Sequence, residues 1–188
     1  MRKFDLESFY KHKKNGATYC RYITTDSNGN ALEIYLLEHT DSYQQTVTYL
    51  NTPIKKRHLY DKKTLNVTKE IESFYDCIIG FRREFNEKGE LIKEVNNDKP
   101  FKFSWQDLVK KMKQEYDIDL MNENDQIKTN NYVSSVSRNS QVMKYFIIIP
   151  CEFTPHGVSE ERFEIDATTG KTIIHIKNRA KSYPKTTL

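Results

Sequence analysis

Apolar and β-branched residues recur in short runs that turn-forming residues separate, and this pattern predicts β-strands over most of the chain. The runs are rich in Tyr, Ile, Thr, Val and Phe. The predicted strands are 17–25, 31–38, 44–50, 55–61, 66–75, 78–85, 90–95, 132–137, 142–150, 160–166 and 171–177. The run Tyr145–Ile149 lacks alternation, which predicts a central strand buried on both faces.

Two segments have the helical period instead. Asp5 is the predicted N-cap of a first helix over 6–14, with Phe4 and Phe9 placed to pack across its first turn. Ser104 and Asp107 form a predicted capping box for the second helix. The apolar stripe of that helix consists of Trp105, Leu108, Val109, Met112 and Tyr116. We expect this stripe to be buried against a sheet, with Trp105 as an anchor of the core.

The order of these elements predicts an α+β fold: a mainly antiparallel meander sheet with two helices packed on it. A strand-rich half with the N-terminal helix would occupy 1–100, and a helix with antiparallel strands would occupy 101–178. The two halves are separate domains or one continuous domain. The polar segment 118–131 is predicted to be a loop, and 179–188 is a basic tail that we expect to be poorly packed.

Four predicted hairpin turns share an Asp or Asn, a short turn and an apolar strand start. They begin at Asp26, Asp61, Asn86 and Asp166. A side-chain oxygen at this position can accept hydrogen bonds from backbone N–H groups ahead of it. Either an antiparallel meander simply reuses this turn chemistry, or the chain contains a duplication; we favour the first interpretation.

The charge is unevenly distributed along the chain. Its 30 Lys and Arg and 26 Asp and Glu residues give a net charge of +4, but 171–188 contains several bases and no acid. The rest of the chain is therefore close to neutral, and we do not expect nucleic-acid binding. Acids in 1–7 do not fit a signal peptide, and no apolar run is long enough for a membrane span. These features predict a cytoplasmic protein with no membrane partner.

The spacing of the Cys and His residues does not match a catalytic or metal-binding motif. Cys20, Cys77 and Cys151 lie far apart without a CxxC motif, and the five histidines lack metal-ligand spacing. We therefore predict no catalytic residue, metal or cofactor. Cys151 and His156 form the nearest candidate pair for nucleophilic chemistry, flanked by turn residues, although a structural role for Cys151 is the default expectation.

Basic clusters are the candidate partner-binding residues. Lys55, Lys56 and Arg57 lie on one predicted strand, and Arg82 and Arg83 lie on another. A meander could bring the two clusters together, where they would steer an acidic partner. The alternative is that they form a solvated sheet face or protect a sheet edge against aggregation.

Two hairpins resemble those of known families. The segment 163–173, with Asp166-Ala167-Thr168-Thr169-Gly170, resembles the closing hairpin of PepSY-type domains, which pair a helix with a small antiparallel sheet. The segment 82–94, with Asn86-Glu87-Lys88-Gly89-Glu90-Leu91, is similar to the MORN-variant repeats of bacterial antitoxin-like proteins. Chains of this type are often immunity proteins of interbacterial toxins, including type VI secretion effectors.

The resemblance implies a non-enzymatic binding protein, a bacterial immunity protein that neutralises a cognate toxin by occlusion. Its partner would be that toxin or another protein. The alternatives are a regulatory or inhibitory module of PepSY type, or an enzyme of a family that the motifs do not identify. The sequence leaves the target, the binding surface and the oligomeric state open.

Overall fold

The computed structural model describes residues 2–122, 134–154 and 157–178 and has an α+β fold of antiparallel sheets with two helices. The predicted fold class is confirmed. Part of the predicted Asn-rich loop, His156 and the basic tail 179–188 lie outside the described residues. Within the described part of the chain, no helix has the length and apolar character needed to cross a membrane.

The chain divides into two compact units. The first unit comprises Met1–Phe74 and Ile78–Asp98, and the second comprises Tyr75–Cys77 and Lys99–Leu188. The elements up to residue 98 are α1 (Leu6–His12), β1 (Tyr19–Thr25), β2 (Ala31–Glu38), β3 (Ser42–Tyr49), β4 (Ile54–Asp61), β5 (Val67–Phe74), β6 (Cys77–Phe85) and β7 (Leu91–Asn96). Those after it are α2 (Trp105–Tyr116), β8 (Ser135–Asn139), β9 (Lys144–Thr154), β10 (Gly157–Asp166) and β11 (Thr172–Asn178).

Strands β1 to β7 form a seven-stranded sheet in chain order, as a meander does. Its side chains alternate between two faces. We call the face that packs against α1 the covered face. Its buried residues include Cys20, Leu32, Ile34, Leu36, Tyr43, Tyr60 and Val67. The ring of Phe4 stacks on Tyr43 with centroids 4.3 Å apart, and Phe9 packs edge-on against Tyr43 at 5.7 Å. This face therefore holds the core of the first unit.

Helix α1 begins as the sequence predicts and ends earlier. The Asp5 carboxylate accepts a hydrogen bond of 2.9 Å from the Ser8 backbone N–H, as an N-cap does. The prediction that the helix continues to residue 14 is wrong, because the backbone at Lys13 is already extended. The Lys13 ammonium instead lies over the Phe9 ring and bonds the Glu38 carboxylate at 3.1 Å.

The second unit contains a four-stranded antiparallel sheet in the order β11-β10-β9-β8. The predicted central strand lies in β9, between β8 and β10. Tyr145, Ile147 and Ile149 are buried, but Phe146 and Ile148 on the other face are only half-buried. The expectation that both faces of this strand are buried is therefore wrong.

Helix α2 confirms the predicted capping box. The Asp107 N–H donates to Ser104 Oγ at 3.1 Å, and the Ser104 N–H donates to Asp107 Oδ2 at 3.3 Å. Leu108 and Met112 are fully buried, whereas Trp105 is half-buried. Trp105 is thus not the anchor that the stripe predicts, because it is the first residue of the helix and the buried positions lie one and two turns further on.

All four predicted turns are present, and they fall into two classes. In one class, Oδ1 of Asp26 or Asn86 accepts from the N–H groups two and four residues ahead, at 2.9–3.0 Å. In the other, Oδ1 of Asp61 or Asp166 accepts from the N–H groups two and three residues ahead and from a threonine hydroxyl. The second class occurs once in each unit, so two different strand pairs use the same local chemistry.

Candidate partner-binding face

The face of the seven-stranded sheet opposite the covered face is here named the open face. The strand registers align its side chains in rows across β1 to β5. The rows are Tyr19, Leu37, Gln44, Leu59 and Lys69; Arg21, Tyr35, Thr46, Arg57 and Ile71; and Ile23, Glu33, Thr48, Lys55 and Ser73. Each of these residues is exposed or half-buried, whereas their neighbours along the strands include the buried residues of the core.

Geometry makes the open face a rigid platform. Strands lie about 4.8 Å apart and rise about 3.3 Å per residue, so these rows cover roughly 400 Å². The backbone ladder fixes the Cα positions of these residues, and the β-branched and aromatic residues among them suit strands. Tyr19 and Ile23 are 54% and 69% exposed, which gives the platform apolar contact area at the β1 end.

Bases outnumber acids on the open face. Arg21 pairs with Glu33 at 3.5 Å and lies over the Tyr35 ring at 5.5 Å. Lys55 and Arg57 are exposed and make no ion pair with any of the described residues. These two cations are therefore available to an acidic partner.

The five basic residues predicted from the sequence do not form one patch. Adjacent residues of a strand point to opposite faces, so Lys55 and Arg57 lie on the open face while Lys56 lies on the covered face. There Lys56 pairs with Glu72 at 3.8 Å. Arg82 and Arg83 are divided between the faces in the same way.

Both arginines of β6 have acidic neighbours. Arg82 lies 3.7 Å from Glu84, which also pairs with Lys69 of the open face. Arg83 bonds Glu94 at 2.7 Å and lies 3.9 Å from Glu70. Lys55 and Arg57 are thus the predicted residues that remain suited to binding. The sequence did not single out Tyr19, Ile23 or Tyr35. Alternation along a strand shows which residues share a face, but it does not show that α1 covers the opposite face and leaves this one open.

A shallow depression of about 880 Å³ adjoins the open face at the β2–β3 turn. Its lining includes Gln44 and Leu59 of the open face together with Glu38, His39 and Lys62. The Glu38 carboxylate is held by Lys62 and Lys13, whose hydrogen bonds lower its pKa. The depression is open to solvent and adjoins the open face at Gln44 and Leu59.

A charged cluster lies on the covered face around Glu70. The buried His58 receives a hydrogen bond from Arg2, and both lie within 4.0 Å of Glu70. Burial, Arg2 and Lys56 lower the pKa of His58 to about 4. The ring is therefore uncharged at neutral pH, and its approach to Glu70 is not an ion pair. His58 Nδ1 has no hydrogen-bond partner among the described residues.

Cys151 of the second unit lies near charged groups. Burial and the Glu161 charge raise the pKa of its thiol, which disfavours the reactive thiolate. Glu161 itself accepts hydrogen bonds from His175 at 2.9 Å and Lys177 at 2.7 Å. Burial opposes ionisation of Glu161, but these bonds lower its pKa. His156, the predicted neighbour of Cys151, lies outside the described residues.

Across the described ranges, no group of three or more His, Cys, Asp or Glu side chains could hold a metal ion. Comparison of the chain with protein-family models, with curated proteins and with solved structures found no match.

Proposed function

We propose that this chain is a binding protein that neutralises a cognate protein toxin by covering the toxin's active site, as an immunity protein does. The open face is the surface that would make the contact. One observation carries the proposal: the face that β1 to β5 build presents Tyr35 and Arg21, and on the same face Lys55 and Arg57 are exposed and make no ion pair with the described residues.

The chemistry of this face suits an acidic protein surface. Exposed cations speed the encounter with an acidic partner, and this effect weakens at high salt. Tyr and Arg are the side chains that most often anchor protein interfaces, because they bury a large area and keep a polar end. The expected target is therefore a toxin whose substrate-binding groove is acidic at its rim.

Co-expression with a toxic protein encoded beside this chain tests the proposal. The wild-type chain should rescue growth and co-purify with the toxin. Arg57→Glu should slow association about tenfold or more and weaken rescue, because it reverses a charge at the centre of the open face. Lys56→Glu is the matched control: it makes the same change in charge on the same strand but on the covered face, and it should rescue as the wild type does.

Two outcomes would contradict the proposal. If Arg57→Glu and Lys56→Glu weaken rescue equally, the open face does not make the contact. If the wild type rescues without any stable complex and Cys151→Ala abolishes rescue, the chain acts as an enzyme.

A further inference from the structure

Strand β1 is an edge of the seven-stranded sheet. The Glu38 N–H donates to the Thr18 carbonyl, and the Asp26 N–H donates to the Asn30 carbonyl, so even-numbered residues form the hydrogen-bonded pairs with β2. Hydrogen-bonded and non-bonded pairs alternate in an antiparallel ladder. The N–H and C=O groups of Tyr19, Arg21, Ile23 and Thr25 therefore point away from β2, along the free edge.

The two edges of this sheet differ in how they are protected. Strand β7 pairs with β6 through a bulge and exposes Lys93 and Glu94, both of which are features that discourage pairing at an edge. Strand β1 pairs with β2 without a register shift and contains no Lys, Glu or Pro; its one charged residue, Arg21, pairs with Glu33 of β2. It exposes Tyr19 and Ile23 instead. An edge of this kind is a template for another strand.

We propose that β1 pairs antiparallel with β1 of a second copy, which gives a two-fold symmetric dimer. A register centred on Arg21 would place two guanidinium groups directly opposite each other, which is destabilising. A register centred on Ile23 would leave Tyr19 without a partner strand residue. The register centred on Tyr22 places Arg21 opposite Ile23 of the second copy and uses all the free backbone groups from Tyr19 to Thr25.

Pairing of β1 with β1 gives a closed assembly of two chains. Pairing of β1 with β7 of another copy would instead be head-to-tail and would build open filaments. The axis is perpendicular to the sheet, so the open faces of both copies lie on the same side. Together they cover roughly 800 Å², which is what one partner contributes to a standard protein interface. The dimer does not depend on the proposed toxin partner.

Light scattering after size exclusion of the full chain, over a dilution series, tests the dimer. The wild type should have twice the chain mass. Ile23→Lys should give a monomer, because the new ammonium group would lie opposite Arg21 of the second copy. Ile92→Lys is the matched control, since Ile92 is 64% exposed on β7 as Ile23 is 69% exposed on β1. This control should remain a dimer.

Single cysteine substitutions test the register. In the proposed dimer the two Tyr22 residues form a non-bonded pair with Cα atoms about 4.5 Å apart, a distance that permits a disulfide. Tyr22→Cys should therefore give a covalent dimer under mild oxidation, and Arg21→Cys should not. A monomeric wild type, an open series of larger species, or loss of the dimer in Ile92→Lys would overturn the proposal.

Discussion

At the scale of single residues, the buried His58 makes the stability of the fold depend on pH. His58 is 7% exposed and has a pKa of about 4 in the folded chain, against 6.5 in an unfolded one. Between these values the unfolded chain binds a proton that the folded chain does not bind. The contribution of His58 to the free energy of unfolding therefore falls as the pH falls from 6.5 to 4.

We predict that this single group accounts for about 3 kcal/mol of acid destabilisation. His58→Gln removes this titration and should reduce the slope of the unfolding free energy between pH 6.5 and pH 4, as measured by urea denaturation. His39→Gln, a change at an exposed position, is the control and should keep the wild-type profile. An unchanged slope in His58→Gln would show that the folded chain protonates this ring readily.

Ala substitutions at two glycines distinguish the cost of backbone strain from the cost of a steric clash. Gly170 and Gly16 have nearly equal positive φ values, 75° and 76°. A Cβ at Gly170 would lie 2.6 Å from Cδ2 of Phe103, whereas a Cβ at Gly16 would have nothing within 4 Å. Gly16→Ala should cost about 1–2 kcal/mol from strain alone. Gly170→Ala should cost about 1–3 kcal/mol more, because the ring must move. Equal losses in denaturant unfolding would contradict the packing of Phe103.

At the scale of elements, the fully buried residues of α2 are Leu108 and Met112, and we expect them to stabilise the second unit more than Trp105 does. Leu108→Ala should lower the free energy of unfolding by about 2–5 kcal/mol, because it leaves a cavity in a fully buried position. Trp105→Ala should cost less, since this side chain is half-buried. Thermal unfolding of both variants checks the order, and a larger loss in Trp105→Ala would restore the prediction made from the stripe.

The sequence predicts best those features whose cause is local. The Ser104–Asp107 capping box and the Asp166 turn each depend on a few consecutive residues, and both are present as expected. The period of two likewise shows that Lys55 and Lys56 point to opposite faces. It does not show which face α1 covers, because that choice depends on Phe4 and Phe9 meeting Tyr43 of β3. The candidate binding surface could therefore not be assigned before the fold was known.

At the scale of the whole molecule, the two faces of the seven-stranded sheet differ in what occupies them. The covered face is filled by α1 and by ion pairs around Glu70. Lys55 and Arg57, which make no ion pair with the described residues, lie together on the open face. This asymmetry between the two faces of one sheet is the basis of the proposed function.

Lysine acetylation followed by mass spectrometry, with and without the cognate toxin, tests this claim most directly. Lys55 and Lys56 are adjacent in the chain and lie on opposite faces, so each serves as the control for the other. The Lys56 side chain is 43% exposed, which leaves it accessible to the reagent. We predict that complex formation protects Lys55 and leaves Lys56 reactive. Protection of Lys56 alone, or of neither residue in a stable complex, would contradict the assignment of the open face as the binding surface.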